Sequence, residues 1–321
     1  MPYFSTKVPA EYKDNERLDK YIAALPNGMN RSRLKSGVTE ILINGKKSKL
    51  SSKIKANDVI DIEWEDNIPD NIEPEDIPLD IIYEDQNVTV VNKKQGMVTH
   101  PACGNWNGTL VNALLFHWGR QAINQIKEGS DSQILQQRRP GIVHRLDKET
   151  SGIIITAKNR DTEEWLGIQF KNKTLRKEYI LIVKGRPQES AGDIRTQIIR
   201  DPKDRKKFKA VTDTDEGKYA RTIYHCISSY GNYTLVRVRL KTGRTHQIRV
   251  HMKYLGCPIV GDSIYNKPDP NFPDATLMLH SKLLQICLPG QTEPHCFITK
   301  TPARFLEMEQ KLKKQFNKKT L

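Results

Sequence analysis

From Leu18 onward apolar residues fall at Leu18, Tyr21, Ile22 and Leu25, the i, i+3, i+4, i+7 stripe of a helix with one buried face, and Pro26-Asn27-Gly28 ends it. A second short helix is expected from Asn30, an N-cap residue type, with Arg31, Arg33 and Lys35 beside Leu34 and Val38. Ile41-Leu42-Ile43 then runs into Asn44-Gly45, a dipeptide suited to the positive φ angles of a two-residue hairpin turn, and Lys46, Lys47 and Lys49 follow it. Val59 to Trp64 alternates apolar and polar like a half-buried strand. Residues 14–66 therefore read as a small α/β domain of two helices and a hairpin whose basic groups form one patch.

The pattern then breaks. Asp66 to Asp85 holds eight acidic residues, no basic ones, and prolines at 69, 74 and 78. Such a stretch is expected to extend as an acidic linker over 67–78.

Beyond it, short β-branched and aromatic runs predict many strands: Asn87–Asn92, Ile153–Ala157, Tyr179–Lys184, Thr222–Cys226, Tyr233–Leu240 and Lys282–Leu288. Helices are expected over Leu110–Phe116 and from Asp161, where Asp161 and Glu164 have capping-box spacing ahead of Trp165, Leu166, Ile168 and Phe170. A third is expected to be capped by Thr245 and ended by Gly256, which puts Arg249 and Met252 on one face. Residues 79–310 thus predict an α+β domain, a mixed and mostly antiparallel sheet with flanking helices, followed by a basic tail over 311–321. No internal repeat stands out, which argues against a solenoid or propeller.

Charge narrows the class of partner. Fifty-two Lys and Arg against 38 Asp and Glu leave a net charge of +14, the footprint of a chain that meets phosphates. No segment approaches the roughly 18 apolar residues of a spanning helix, and Met1-Pro2-Tyr3-Phe4-Ser5 has no apolar signal core. The five cysteines are widely spaced with no CxxC. A cytoplasmic protein with reduced thiols, no metal site and no membrane attachment is expected.

Candidate chemistry concentrates before the run Ile153-Ile154-Ile155. His144-Arg145-Leu146-Asp147-Lys148 sets a carboxylate between Arg145 and Lys148, and neighbouring positive charge favours its anionic form, which suits a nucleophile or base. Taken alone, an Asp in a basic turn is ordinarily a cap or a solvated residue. The whole segment Gly141-Ile-Val-His-Arg-Leu-Asp-Lys-Glu-Thr-Ser-Gly152 nevertheless closely resembles the catalytic loop of the RluA-type pseudouridine synthases, and the resemblance implies that Asp147 is the essential residue.

Three further segments extend the resemblance. Asn92-Lys93-Lys94-Gln95-Gly96-Met97 is similar to the family's first motif, with Lys94 where Pro is usual. Arg176-Lys177-Glu178-Tyr179 resembles the segment with the active-site Tyr, Tyr179. Gly243-Arg-Thr-His-Gln-Ile-Arg-Val-His-Met252, with Gly256, Pro258 and Gly261-Asp262, resembles the late motif whose second Arg, Arg249, faces the catalytic Asp. Arg17-Leu18-Asp19, Asn30-Arg31-Ser32-Arg33 and Ile43-Asn44-Gly45-Lys46 resemble an S4 RNA-binding module. Leu288-Pro289-Gly290 stands where His-Pro is common, a local departure.

The resemblance implies a reaction that breaks a uridine's N-glycosidic bond, turns the uracil and rejoins it through C5. An isomerisation needs no cofactor or metal, and the chain has no GxGxxG or GxxxxGK[ST] pattern. In this reading Asp147 is the nucleophile or base, Arg249 orients it through a charge-assisted hydrogen bond for which a two-handed geometry is open, and Tyr179 stacks on the extruded uracil in preference to moving a proton. Arg145 fills the vacated stack and His144 shapes the loop; both belong to the RNA-facing set with Arg31, Arg33 and Lys46. His246 and His251 read as packing residues, since their spacing fits no zinc pattern. The expected partner is ribosomal RNA of the large subunit, bound by a monomer. The alternatives are a transfer RNA synthase, a non-catalytic RNA-binding protein and a glycosidase pairing Asp147 with Glu149, the last at odds with a basic chain.

Overall fold

In the computed structural model, which describes residues 3–25, 34, 38–64, 71–102, 104–124, 140–204, 206–212 and 214–316, the chain divides after Asp70 into two units. The first contains β1 (Tyr3–Lys7), α1 (Leu18–Ala24), β2 (Val38–Ile43), β3 (Lys46–Lys47) and β4 (Val59–Trp64), in an antiparallel sheet ordered β1-β4-β2-β3. Leu18, Tyr21 and Ile22 of α1 pack on Ile41, Ile60 and Ile62, so the helical stripe and the strand alternation meet in one core. Asn44 and Gly45 both take positive φ, 52° and 73°, as a tight hairpin turn requires. The unit starts earlier than expected from position 14: β1 pairs with β4 along its length, but none of its five residues is buried, so no hydrophobic alternation announces it. The expected helix from Asn30, with Arg31 and Arg33, lies outside the described residues except Leu34, which is helical and buried.

The second unit is built on a ten-stranded mixed sheet. It comprises β6 (Ile81–Glu84), β7 (Val88–Lys93), β9 (Ser151–Ala157), β10 (Arg176–Lys184), β11 (Ala191–Arg200), β12 (Phe208–Val211), β13 (Lys218–Tyr230), β14 (Tyr233–Leu240), β15 (Leu279–Ile286) and β16 (His295–Ile298), and β5 (Asn71–Ile72) pairs separately with β8 (Ile123–Asn124). The order is β12-β11-β13-β14-β10-β15-β9-β7-β6, with β16 also on β15. All pairings are antiparallel except β15 with β9, where His280 and Ser281 lie beside Ser151 and Gly152. That junction joins the two halves of the sheet, and the Gly141–Gly152 segment enters it. Helices α2 (Leu110–His117), α3 (Arg160–Asn172), α4 (Gln247–Tyr254) and α5 (Ala303–Phe316) flank the sheet.

Further boundaries differ from the sequence reading. Residues 71–78 are not a free linker: Ile72 is buried against Val111 and Leu115, the Asn112 amide donates to the Glu73 carbonyl, and the Glu75 carboxylate accepts the Gly108 N–H at the N-terminus of α2, where negative charge is favoured. The tail is helical to Phe316. Phe305, Met308 and Leu312 face inward, so the lysines at 311, 313 and 314 are the wet side of an amphipathic helix and not a separate basic tail. Helix caps also shift. Asn159, not Asp161, caps α3 by accepting the Thr162 N–H, and His246, not Thr245, stands at the N-cap of α4. Among the described residues, no helix is long and apolar enough to cross a membrane.

Candidate active site

Both glycines bracketing the HRLDK segment are forced by close backbone approach. A Cβ on Gly141 would lie 2.2 Å from the Ala157 carbonyl oxygen, and one on Gly152 would lie 2.2 Å from that of Ser281. Between them four consecutive carbonyls are held. Thr99 Oγ1 donates to Leu146 O (3.0 Å), Thr150 N–H closes a turn onto Asp147 O (3.0 Å), and Gly96 N–H with Lys93 Nζ holds Lys148 O (2.9 and 3.2 Å). Gln95 Nε2 donates to Glu149 O (2.9 Å). The Asn92–Met97 motif is therefore the cradle of the loop. Lys93 is 1% exposed, and its ammonium also donates to the Lys94 and Met97 carbonyls, so all three protons have acceptors. Burial still pulls its pKa down to about 8, against the pull of Asp147 and Glu149.

This cradle leaves Leu146 in the core and the Asp147 side chain 22% exposed at the wall of a cavity of about 620 Å³. Arg249 reaches it from α4, but not with a fork. The fork closes on Asp262, with Nε to Oδ2 at 2.8 Å and Nη2 to Oδ1 at 2.7 Å, while Nη1 makes a single 3.4 Å contact with Asp147 Oδ2. The two-handed grip considered for Asp147 is thus corrected. Asp262 is fully buried, and its Oδ1 also accepts the Ile264 and Tyr265 N–H groups, so it is the fixed anchor. Burial alone would lower the Arg249 pKa, but Asp262 first and then Asp147 hold it above its ordinary value. The consequence is an arginine that faces Asp147 with charge while leaving the carboxylate oxygens largely uncommitted, as a reacting carboxylate requires.

His246 stands on the other side of the carboxylate, with Nε2 3.8 Å from Asp147 Oδ2. It takes φ 57°, a left-handed conformation costly for a residue with a Cβ, and strain of this kind gathers at functional sites. Its Nδ1 meets the Tyr265 hydroxyl at 2.9 Å, and that oxygen accepts the Phe208 N–H. With the Tyr265 O–H donated to Nδ1, the imidazole proton would sit on Nε2, on the side of Asp147. The expectation that His246 merely packs is corrected here; His251 does pack, held between Thr196 and Thr222.

Tyr179, 6% exposed on β10, lines the same cavity, and burial pushes its phenol up to about 12, which disfavours it as a base and suits it to stacking. Lys177, two residues earlier on the same strand face, also lines the cavity. His144 lies in the wall and not at its surface chemistry: its ring stacks on Phe170 at 4.5 Å, its Nε2 accepts the Ile155 N–H, and burial drops its pKa to about 3. Arg145 is exposed at the cavity. Glu149 does not line it, so among the described lining residues Asp147 is the one carboxylate and the paired-carboxylate alternative finds no partner there. In the first unit Lys46 is exposed on β3, while Arg31 and Arg33 fall outside the described residues. Sequence reasoning missed Lys93, Lys177, His246, Asp262 and Tyr265 as site residues. The first four sit inside quoted motifs, and only contacts assign them roles.

Comparison with known proteins gives the family. The profile of the RNA pseudouridylate synthase family matches residues 87–254. The chain is 44% identical over 296 residues to the ribosomal large subunit pseudouridine synthase D of Borreliella burgdorferi, covering 90% of this chain and 87% of that one. It is 38% identical over 308 residues to the RNA pseudouridine synthase YlyB of Bacillus subtilis, covering 95% and 97%. The human RNA Pseudouridylate Synthase Domain Containing 4 and 1 structures share the fold, with TM-scores of 0.55 and 0.54 at 24% identity, over 73% and 74% of this chain and 92% and 95% of theirs. The chain therefore belongs to the RNA pseudouridylate synthase family, in its RluA-type branch, and is an isomerase of that class.

Proposed function

We propose that the chain converts specific uridines of large-subunit ribosomal RNA to pseudouridine, with Asp147 as the catalytic carboxylate. The observation that carries this reading is the Asp147 side chain presented to the cavity beside Tyr179, with its backbone locked by the Lys93–Gln95–Gly96 cradle and its charge faced by Arg249. A cavity of about 620 Å³ is in the range that takes one small ligand-sized group. A uridine extruded from its stack, at a cost of a few kcal/mol, enters with the uracil against Tyr179. Asp147 then serves the break of the N1–C1′ bond, as nucleophile at C1′ or C6 or as base toward a sugar proton. The uracil turns, a C5–C1′ bond forms, and the proton on C5 leaves. Arg145, exposed at the rim, stacks in the vacated space.

The relatives from Borreliella burgdorferi and Zymomonas mobilis, 44% and 39% identical, carry the name ribosomal large subunit pseudouridine synthase D, which favours ribosomal over transfer RNA as substrate. Such an enzyme works in the cytoplasm as a monomer. The first unit serves as an S4-like grip whose exposed Lys46 contacts RNA phosphates together with Arg31 and Arg33. Pseudouridine mapping of ribosomal RNA from cells with and without the gene tests the substrate. Sites in the large-subunit RNA should vanish with the gene; loss confined to transfer RNA would overturn it.

A further inference from the structure

Among the described lysines of the second unit, burial pulls Lys93 and Lys177 down furthest, and the two are not alike. Lys93 spends its three protons on three carbonyls. Lys177 is half-buried on β10, and among the described residues no hydrogen bond or ion pair engages its ammonium; the nitrogen lies 5.4 Å from the centroid of the Phe170 ring, beside Gly243, and close enough to His144 for its charge to help lower that imidazole's pKa. The described lining of the cavity holds one carboxylate, Asp147, which Arg249 already faces, while Arg145, Lys171, Lys173, Lys241 and Arg244 are all cations. Burying an ammonium without a counter-charge is unfavourable, and burial alone accounts for the fall of the Lys177 pKa to about 8. Strand alternation points Lys177 the same way as Tyr179, toward the place of the uracil.

We infer that Lys177 is the seat of a backbone phosphate flanking the extruded uridine, a substrate-positioning contact made only when RNA occupies the cavity. The inference rests on the proposed function. A uracil oxygen is a weaker complement, because it is neutral and leaves the ammonium uncompensated, whereas a phosphate supplies both charge and acceptors. The flanking phosphate is also the anion that must travel with the flipped nucleotide.

The test uses a short RNA hairpin carrying a mapped target uridine, and a matched hairpin in which the phosphates flanking that uridine are neutral methylphosphonates. Binding is measured with Asp147→Asn protein so that no turnover intervenes. Lys177→Met should weaken binding of the natural hairpin roughly tenfold or more, as loss of a charged hydrogen bond does. It should also make the slope of log affinity against log salt shallower by about 0.7. Lys177→Arg should restore both. On the methylphosphonate hairpin, Lys177→Met and the parent should bind alike. With Lys177, affinity should fall as pH rises through about 8, because the amine then loses its charge, and Lys177→Arg should remove that fall. In the otherwise wild-type enzyme Lys177→Met should raise KM more than it lowers kcat. Unchanged affinity and salt slope in Lys177→Met, equal sensitivity to Lys177→Met on the neutral hairpin, or a loss confined to kcat would overturn the inference. If wild-type enzyme makes no pseudouridine in the hairpin, the proposed function falls with it; conversion that is indifferent to Lys177 removes the inference alone.

Discussion

Asp262 tests the electrostatic design most sharply, because it touches Asp147 only through Arg249. Both partners of the fork are buried, with side chains 6% and 0% exposed, and Asp262 also accepts two backbone N–H groups. Asp262→Ala removes one member of a buried ion pair and leaves the guanidinium with its single 3.4 Å contact to Asp147, a change that costs roughly 3–5 kcal/mol. At about 2–4 °C per kcal/mol for a domain of this size, melting should drop by roughly 6–20 °C. The freed fork then has one carboxylate within reach, Asp147, and a two-handed grip there should commit the oxygens that the reaction needs. Asp262→Asn, which keeps shape and the backbone contacts but not the charge, should cost roughly 1.5–3 kcal/mol. Its kcat should fall at least tenfold. Thermal unfolding by circular dichroism and tritium release from C5-labelled uridine RNA, assayed below all melting points, read the two effects separately. An Asp262→Ala protein that melts within about 2 °C of wild type and turns over at its rate would refute the anchoring argument.

Arg249→Lys keeps a charge but cannot span Asp262 and Asp147 at once, so kcat should fall steeply; undiminished turnover would contradict the pairing. Glu84 makes an acid-sensitive clasp: burial would raise its pKa, but Lys158, His117 and Thr89 outweigh it and pull the carboxyl down to about 2. A depressed carboxyl contributes stability above its unfolded pKa that is lost as pH falls, so between about pH 4.5 and 2 the wild type should lose on the order of 1–2 kcal/mol more than Glu84→Gln in urea melts, after screening at a partly exposed site. Deleting residues 1–70 should leave the second unit folded on its own cores, with kcat little changed at saturating RNA, weaker binding and a shallower salt slope. Equal affinity and slope would remove the S4-like grip.

Local pattern carried much of this molecule. β14 spans Tyr233–Leu240 as its alternation predicts, and α1 begins at Leu18. What failed were elements whose order comes from partners. β1 has no buried residue and exists by pairing with β4, and the 71–78 peptide is acidic yet packs because Glu75 finds the N-terminus of α2. The site divides in the same way. Asp147, Tyr179 and Arg249 had roles implied by the resemblance, whereas Asp262 stood in a quoted motif with no role; it lies 13 residues from Arg249 and 115 from Asp147 in sequence, so only the fold brings the three together. His246 reads as an ordinary packing histidine until its left-handed backbone and its approach to Asp147 are seen.

The central claim concerns one carboxylate. Asp147→Asn keeps the size of the side chain and a hydrogen-bond acceptor for Arg249 but cannot be an anion, so the folded, RNA-binding protein should release no tritium from C5-labelled uridine in large-subunit ribosomal RNA and form no pseudouridine there. Affinity should stay within about threefold of wild type, since phosphate contacts spread over the surface supply most of it. Tritium release by Asp147→Asn at near the wild-type rate would contradict the account.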